Sequence, residues 1–390
     1  MAPVVLVGRH PARGIPVEVA IEGDRITRIR DQPDSASPPH LWLLPGLVDI
    51  QVNGYAGLDL NGPDVDPGVV TRVMRSLQAK GVTRFCPTVC TQSHDQMRRT
   101  LRAIAEACRT DPRVRYGVAG IHVEGPFISP EDGPRGAHPR EHVRPPDWEE
   151  FEAFQDAAGG RIRVLTLAPE WPGALAFIRR LAGTGVVVAI GHTAAPPEAI
   201  GRAVEAGARL STHLGNGSHS MLQRHPNYIW EQLAADDLWA SIIVDGHHLP
   251  PAVVKTFVRA KGVARTILIS DAVALAGLSP GDYDWLGLRV TLGMDGRIGL
   301  TGTPYLAGST LDLAAAIPKV ISFTGVTLVE AVTMASTNPS RLLGIESGIL
   351  EEGGRADLMV AHYKQDAMAL EVQRTVVAGE TVWDASQEPH

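Results

Sequence analysis

At 390 residues, with 20% charged side chains and a formal net charge of −7, the chain has room for one large α/β unit and a smaller appendage, and its composition is that of an ordinary soluble protein. It contains no run of Lys and Arg able to track a nucleic-acid backbone and no stretch near the ~20 apolar residues of a membrane span, so neither nucleic acid nor membrane is expected as a partner. Cys86, Cys90 and Cys108 are an odd count in a long chain, which argues against a disulfide framework; the thiols are expected to be buried and apolar, and the compartment cytoplasmic.

From Pro3 to Ile29 short β-branched runs alternate with Gly turns, as in Val4-Val5-Leu6-Val7 and in Arg25-Ile26-Thr27-Arg28-Ile29 after Gly23-Asp24, which predicts small antiparallel strands. A polar, Pro-rich link follows over 31–40. Near the other end, residues 356–360 and 372–383, with the turn Ala378-Gly379-Glu380, carry strands of the same style. Pairing the two ends gives a discontinuous β-sandwich from residues 1–45 and 351–390, flanking a central domain over 46–350.

Within the central domain the pattern becomes strand, then helix, repeated. Strands are expected at 48–52, 84–88, 118–123, 163–167, 186–190, 209–212, 239–244 and 266–270. Stretches rich in Ala, Arg, Leu and Glu separate most of them, at 69–80, 96–109, 173–182 and 198–206. Eight strands with intervening helices read most economically as a (β/α)₈ TIM-like barrel. Residues 286–301, with Asp295-Gly296 at the turn, read as a hairpin inserted after the eighth strand.

The decisive stretch is Gly120-Ile121-His122-Val123-Glu124-Gly125-Pro126-Phe127, where Gly125-Pro126 breaks a buried strand just after a carboxylate. In a parallel barrel the residues following each strand face one pocket. In chain order these are Asp49, Gln51 and Asn53, then Thr88, Glu124, Glu170, His192, His213, Asn216, His247, His248 and Asp271. One carboxylate and two histidines can hold a divalent cation with positions left open for water, and a late aspartate stands by for proton transfer.

Several stretches, in order along nearly the whole chain, resemble the N-acetylglucosamine-6-phosphate deacetylase family of the amidohydrolase superfamily. They include Pro45-Gly46-Leu47-Val48-Asp49-Ile50-Gln51, His122-Val123-Glu124-Gly125-Pro126-Phe127, Leu167-Ala168-Pro169-Glu170, Gly191-His192-Thr193, Thr212-His213-Leu214, Asp245-Gly246-His247-His248, Ser270-Asp271-Ala272 and Leu306-Ala307-Gly308-Ser309. The resemblance implies hydrolysis of the N-acetyl amide of an amino-sugar phosphate, with Glu124, His192 and His213 as metal ligands and Asp271 as the proton shuttle. It places His138 near the scissile carbonyl, and Asn216, Gly217, Arg224, His248, Leu306, Ala307 and Gly308 at the substrate. It also implies a homodimer.

Where related enzymes often carry H-x-H after the first strand, this chain has Gln51-Val52-Asn53, and neutral amides are poor zinc ligands. A single cation is therefore expected. Zinc is the first choice, while ferrous iron, cobalt or manganese would also suit two histidines and a carboxylate. The surroundings of Arg224, including Asn216-Gly217-Ser218 and His225-Pro226-Asn227, depart from the family's usual text and leave the need for a 6-phosphate open. Trp230 is read as core of a helix over 229–235, with stacking on a sugar as the alternative. The other functions weighed are an amidohydrolase acting on an unphosphorylated N-acetyl sugar, on N-acetylgalactosamine 6-phosphate or on an N-acyl amino acid, and a catalytically silent barrel serving as a scaffold.

Overall fold

The computed structural model describes residues 4–32, 41–285, 288–302 and 306–387. Eight parallel strands form its centre: β1 (Leu47–Val52), β2 (Val82–Cys90), β3 (Ile121–Glu124), β4 (Ile162–Leu167), β5 (Val187–Ile190), β6 (Ala208–Ser211), β7 (Trp239–Ile242) and β8 (Thr266–Leu268). Each pairs with its neighbours in sequence. The ring closes just past β8, where Ala272 bridges Val52 and the Asp271 amide donates to the Gln51 carbonyl. All eight expected strands are present. The third starts later than its pattern implies: Val118 caps the short helix Pro112–Gly117 and bridges Phe85, and the ladder proper begins at Ile121.

Strands buried on both faces need apolar side chains on both, and β1 is buried at all six positions. One set fills the barrel interior, with Val48, Ile50, Cys86, Val164, Ala189, Leu210 and Ile267 in a single cluster. The other set meets the helices. In the helix His94–Thr110, Met97, Leu101, Ile104 and Cys108 return every three or four residues and are buried, while Ser93 accepts a hydrogen bond from the Gln96 amide at the N-terminus. Helices Pro67–Gln78, Ala174–Ala182 and Pro197–Ala206 match the other helical stretches read from sequence.

The two ends of the chain meet in one seven-stranded sheet. Strands Val4–Arg9, Pro16–Glu22, Arg25–Asp31, Leu41–Pro45, Leu358–Lys364, Ala369–Val377 and Glu380–Asp384 share one hydrogen-bonded sheet, joined where Leu41–Pro45 runs antiparallel to Leu358–Lys364. Leu6, Val17, Val19, Ile26, Leu43, Leu358 and Val376 pack against one another within it. Because Leu41–Pro45 passes through Gly46 directly into β1, the sheet is fixed to the barrel at its first strand. The link at 31–40 lies largely outside the described residues. The expected hairpin is the second half of a three-stranded sheet, Gly281–Trp285, Leu288–Leu292 and Ile298–Leu300.

Trp230 corrects an expectation. Asn227 caps the helix Tyr228–Ala234 by accepting from the Ile229 and Trp230 amides, which sets a phase that buries Tyr228, Gln232 and Leu233. The indole is left 47% exposed, with Nε1 donating to the Arg224 carbonyl at 3.3 Å.

The sheet's turns press closely on one another at Gly379. Its φ is +79°, and a β-carbon there would run into the Gly23 carbonyl oxygen, whereas Gly353, at φ +82°, faces open space. Gly379→Ala is expected to cost roughly 2–4 kcal/mol and Gly353→Ala about 1 kcal/mol in urea unfolding. Equal losses would show that only the backbone angle matters at Gly379.

Candidate active site

Glu124 ends β3, and His192 and His213 follow β5 and β6 after one intervening residue each. The structure brings the three together. Glu124 Oε1 lies 3.1 Å from His192 Nε2 and 2.9 Å from His213 Nε2, and the two nitrogens are 3.0 Å apart. All three residues are buried.

Chemistry fixes part of this arrangement. His192 Nδ1 is 2.8 Å from the Pro134 carbonyl, which can only accept, so Nδ1 carries a proton and Nε2 is the nitrogen turned toward the carboxylate. A carboxylate oxygen and two imidazole nitrogens at these distances are held together by shared positive charge, a proton on an imidazole or a bound cation. Burial alone would raise the Glu124 carboxyl, but the hydrogen bonds and charge of His192 and His213 outweigh it and hold Glu124 well below the usual carboxylate range. Burial likewise opposes protonation of His213, and the carboxylate's hydrogen bond and charge overcome that and raise it. The donor set, two imidazoles and one carboxylate, fits a divalent transition metal with open positions.

Backbone strain aims these groups. His192, His213 and Asp271 have φ of 50°, 30° and 49°, a region L-residues seldom adopt and one that costs of order 1–3 kcal/mol each. Beneath them runs a directional hydrogen-bond chain. His122 Nδ1 lies 3.2 Å from the Ile50 carbonyl and must donate there; burial lowers this imidazole to about 4 and keeps it neutral. Its Nε2 therefore accepts from Thr166 Oγ1 at 2.8 Å, and Thr166 Oγ1 accepts from Thr212 Oγ1 at 2.7 Å. Every ligand is tied to this chain. Glu124 is two residues past His122, His213 directly follows Thr212, and Gly191, before His192, sits so close that an added β-carbon would be 2.8 Å from both Thr166 Cγ2 and Thr212 Cβ.

Gln51 and Asn53 act as donors. Gln51 Nε2 reaches Glu124 Oε1 at 3.0 Å, and Asn53 Nδ2 reaches Asp271 Oδ1 at 2.7 Å. Asp271 caps no helix. Burial first, then the Glu124 charge, raises its carboxyl to about 7. Cys90, expected as apolar packing, instead directs its thiol at Asn53 Oδ1 (3.1 Å) and Glu124 Oε2 (3.7 Å), and burial pushes the thiol well up. Cys86 and Cys108 are buried as expected.

Of the other sequence-predicted residues, His138 stacks edge-on against His192 with ring centroids 4.4 Å apart and Nδ1 2.8 Å from Thr91 Oγ1; burial first, then neighbouring His192, lowers it to about 3. Gly217 lies under the same His192 ring, where a β-carbon would come within 2.6 Å of Nδ1. Asn216 Nδ2 donates to the His213 carbonyl. His248 Nδ1 is paired with Asp245 Oδ2 at 2.6 Å. Leu306 bridges Gly299, Ala307 is buried, and Gly308, at φ +93°, packs on Val273 two residues past Asp271. Arg224 stands in the exposed stretch 221–226, and no contact joins its guanidinium to the cluster.

Three residues from the strand-end inventory have other duties. Asp49 lies inside the barrel, accepting from the Gln51 and Ser270 amides, and burial raises it to about 7. Thr88 Oγ1 accepts from the Val52 amide, and Glu170 holds Thr193 and the Ala194 amide. His122, Thr166 and Cys90 were missed; the available signal was an even spacing along their own strands, from Glu124 for His122, from the interior Val164 for Thr166 and from the interior Cys86 for Cys90.

Residues 42–382 match the Amidohydrolase family. The chain belongs to this family. It is 34% identical over 328 residues to the N-acetylglucosamine-6-phosphate deacetylase of Bacillus subtilis (strain 168), covering 83% of this chain and 81% of the relative. It is 35% identical over 320 residues to the N-acetylgalactosamine-6-phosphate deacetylase of Escherichia coli O157:H7, covering 81% and 82%. A mutant N-acetyl-D-glucosamine-6-phosphate deacetylase from Mycobacterium smegmatis, solved in complex with N-acetyl-D-glucosamine-6-phosphate, superposes with a TM-score of 0.83 at 30% identity over 94% of each chain. The Thermotoga maritima N-acetylglucosamine-6-phosphate deacetylase gives 0.84 at 28% identity, over 97% of this chain and all of that one. Within the amidohydrolases this enzyme belongs with the N-acetylglucosamine-6-phosphate deacetylases.

Thr166→Val removes the donor to His122 and the acceptor for Thr212. It is expected to weaken divalent-cation affinity about 10- to 100-fold in competition with a chromogenic chelator, with Thr166→Ser restoring it. Unchanged affinity in the valine variant would show that the ligands are aimed by something else.

Proposed function

We propose that this amidohydrolase cleaves the N-acetyl amide of N-acetylglucosamine 6-phosphate, giving acetate and glucosamine 6-phosphate, with one divalent cation, zinc in the first instance, held by Glu124, His192 and His213. The observation that carries the reading is the meeting of those three ligand atoms beside the Asn53-oriented Asp271 carboxyl. A cation bound there lowers the pKa of water and polarises an amide carbonyl.

The protein's own groups handle the proton. Asp271, raised to about 7, is suited to take a proton from the attacking water and return it to the amine nitrogen, which leaves poorly until protonated. Asn53 Nδ2 holds one Asp271 oxygen and turns the other to the reacting atoms. His138, kept neutral, carries its proton on Nε2 whenever Thr91 donates to Nδ1, as a hydrogen bond to the substrate carbonyl requires.

Asn216, Gly217 and the segment Leu306-Ala307-Gly308 flank the cluster and would line the sugar, with His248 and Arg224 receiving the phosphate. Arg224 stands beside exposed Met221, Leu222 and Trp230, an apolar strip that a second copy of the chain would cover in a homodimer. Three unpaired thiols favour a reducing, cytoplasmic setting. The E. coli relative supports N-acetylgalactosamine 6-phosphate as a second substrate.

Acetate release from N-acetylglucosamine 6-phosphate by the purified protein should disappear on chelation and in His192→Ala. Asp271→Asn should lower kcat by about 10²–10⁴ with bound metal retained. A rate indifferent to chelator and to His192→Ala would overturn the mechanism. Arg224→Ala is expected to lower kcat/KM about 10- to 100-fold for the phosphorylated sugar and hardly at all for N-acetylglucosamine, a loss that fits one charged hydrogen-bonded contact. Comparing kcat/KM for the two 6-phosphate epimers settles which sugar is preferred.

A further inference from the structure

A second concentration of charge lies near the other end of the barrel. Arg84 is the third residue of β2, whose last residue, Cys90, touches Glu124; six residues of strand put it about 20 Å from the candidate metal centre. There a cavity of about 420 Å³ is lined by Arg84, Arg115, Tyr116, Ile345, Glu346 and Arg355.

Its one lining carboxylate is already taken. Glu346 meets Arg25 at 2.8 Å and Arg355 at 3.7 Å, and Arg355 is also paired with Asp24. Arg84 and Arg115 form no ion pair among the described residues. The Arg84 guanidinium lies 4.4 Å over the Tyr116 ring, Arg355 lies 5.5 Å from the same ring, and Arg84 Nε is buried without a hydrogen-bond partner. Behind the ring, Tyr116 donates to Asp357 at 2.8 Å, and Asp357 is otherwise satisfied by Ser347 Oγ and the Ala378 amide. Four guanidiniums (Arg25, Arg84, Arg115, Arg355) thus face three carboxylates (Asp24, Glu346, Asp357) in a chain that is acidic overall.

A buried donor with no acceptor needs a physical explanation, and an ion is one of the few available. We propose that this cavity binds a small phosphate-bearing anion, a phosphate monoester or phosphate itself, with Arg84 and Arg115 supplying the guanidinium forks. Guanidinium geometry matches tetrahedral oxyanions, and two uncompensated positive charges match a dianion better than a single carboxylate. The volume admits a sugar phosphate. Tyr116, anchored at its hydroxyl, holds Arg84 in place before the ligand arrives, which lowers the ordering cost of binding.

The test is calorimetric titration of the full chain with inorganic phosphate in the Arg224→Ala background, which removes the proposed phosphate contact at the catalytic mouth. We expect saturable binding to one site, weakened at least tenfold by Arg84→Gln and by Arg115→Gln, with kcat/KM in phosphate-free buffer within twofold of the parent for either substitution made alone. Arg115 is exposed, so its variant decides the matter if Arg84→Gln fails to fold. No saturable binding in the Arg224→Ala background, or equal binding in both arginine variants, would overturn the proposal. Because deacetylation is assayed separately, that outcome leaves the proposed reaction untouched, and an inactive enzyme that still binds phosphate through Arg84 would leave the cavity assignment standing.

Discussion

A carboxylate oxygen and two imidazole nitrogens within 3.1 Å of one another, in a buried site, repel unless positive charge lies between them. Everything near the mouth of the barrel answers to that constraint. Unpaired buried charge costs several kcal/mol, and three strained backbones add of order 1–3 kcal/mol each. Such an arrangement persists only where the surroundings leave it no alternative. Here the rigid supports are the closed eight-strand ring, the His122–Thr166–Thr212 hydrogen-bond chain, and Gly191, which admits the two threonines beneath it. The strain re-aims His192, His213 and Asp271 from their own strands toward one point, which regular extended backbone would not do.

Much of this was legible in the sequence because the relevant signals are local. Short apolar, β-branched runs alternating with helical stretches located the eight strands, and the strand tips carried Glu124, His192, His213 and Asp271 to positions that the barrel topology makes neighbours. Contacts across the barrel between alternating side chains were not legible. Cys90 looked like a buried apolar thiol because nothing in its own segment shows that Asn53 and Glu124 lie beside it. His122, two residues before Glu124, shares its inward face, but its partners Ile50 and Thr166 lie on other strands and nothing in its own segment shows them. Trp230 was misjudged for a related reason: its burial depends on the helix phase set by Asn227, and a large aromatic in a short helix reads as core until that phase is known.

The replacement of H-x-H by Gln51 and Asn53 acquires a physical meaning from the contacts these amides make. Each turns an NH₂ toward a carboxylate, Gln51 to Glu124 and Asn53 to Asp271, and so supplies the partial positive charge that a second cation would otherwise provide. The orientation of Asn53 is fixed from both sides: Asp271 accepts at Nδ2, and the Cys90 thiol, kept protonated by burial, donates at Oδ1. A carboxylate that keeps a hydrogen-bond donor in place of a second metal retains an oxygen basic enough to carry a proton, whereas coordination would draw that electron pair away. On this view the two amides and the thiol form one device that leaves Asp271 free to titrate near neutrality while Glu124 remains committed to the histidines. Gln51 lies on β1, Asn53 just beyond it and Cys90 on β2, all remote in sequence from Asp271, the aspartate that Asn53 holds.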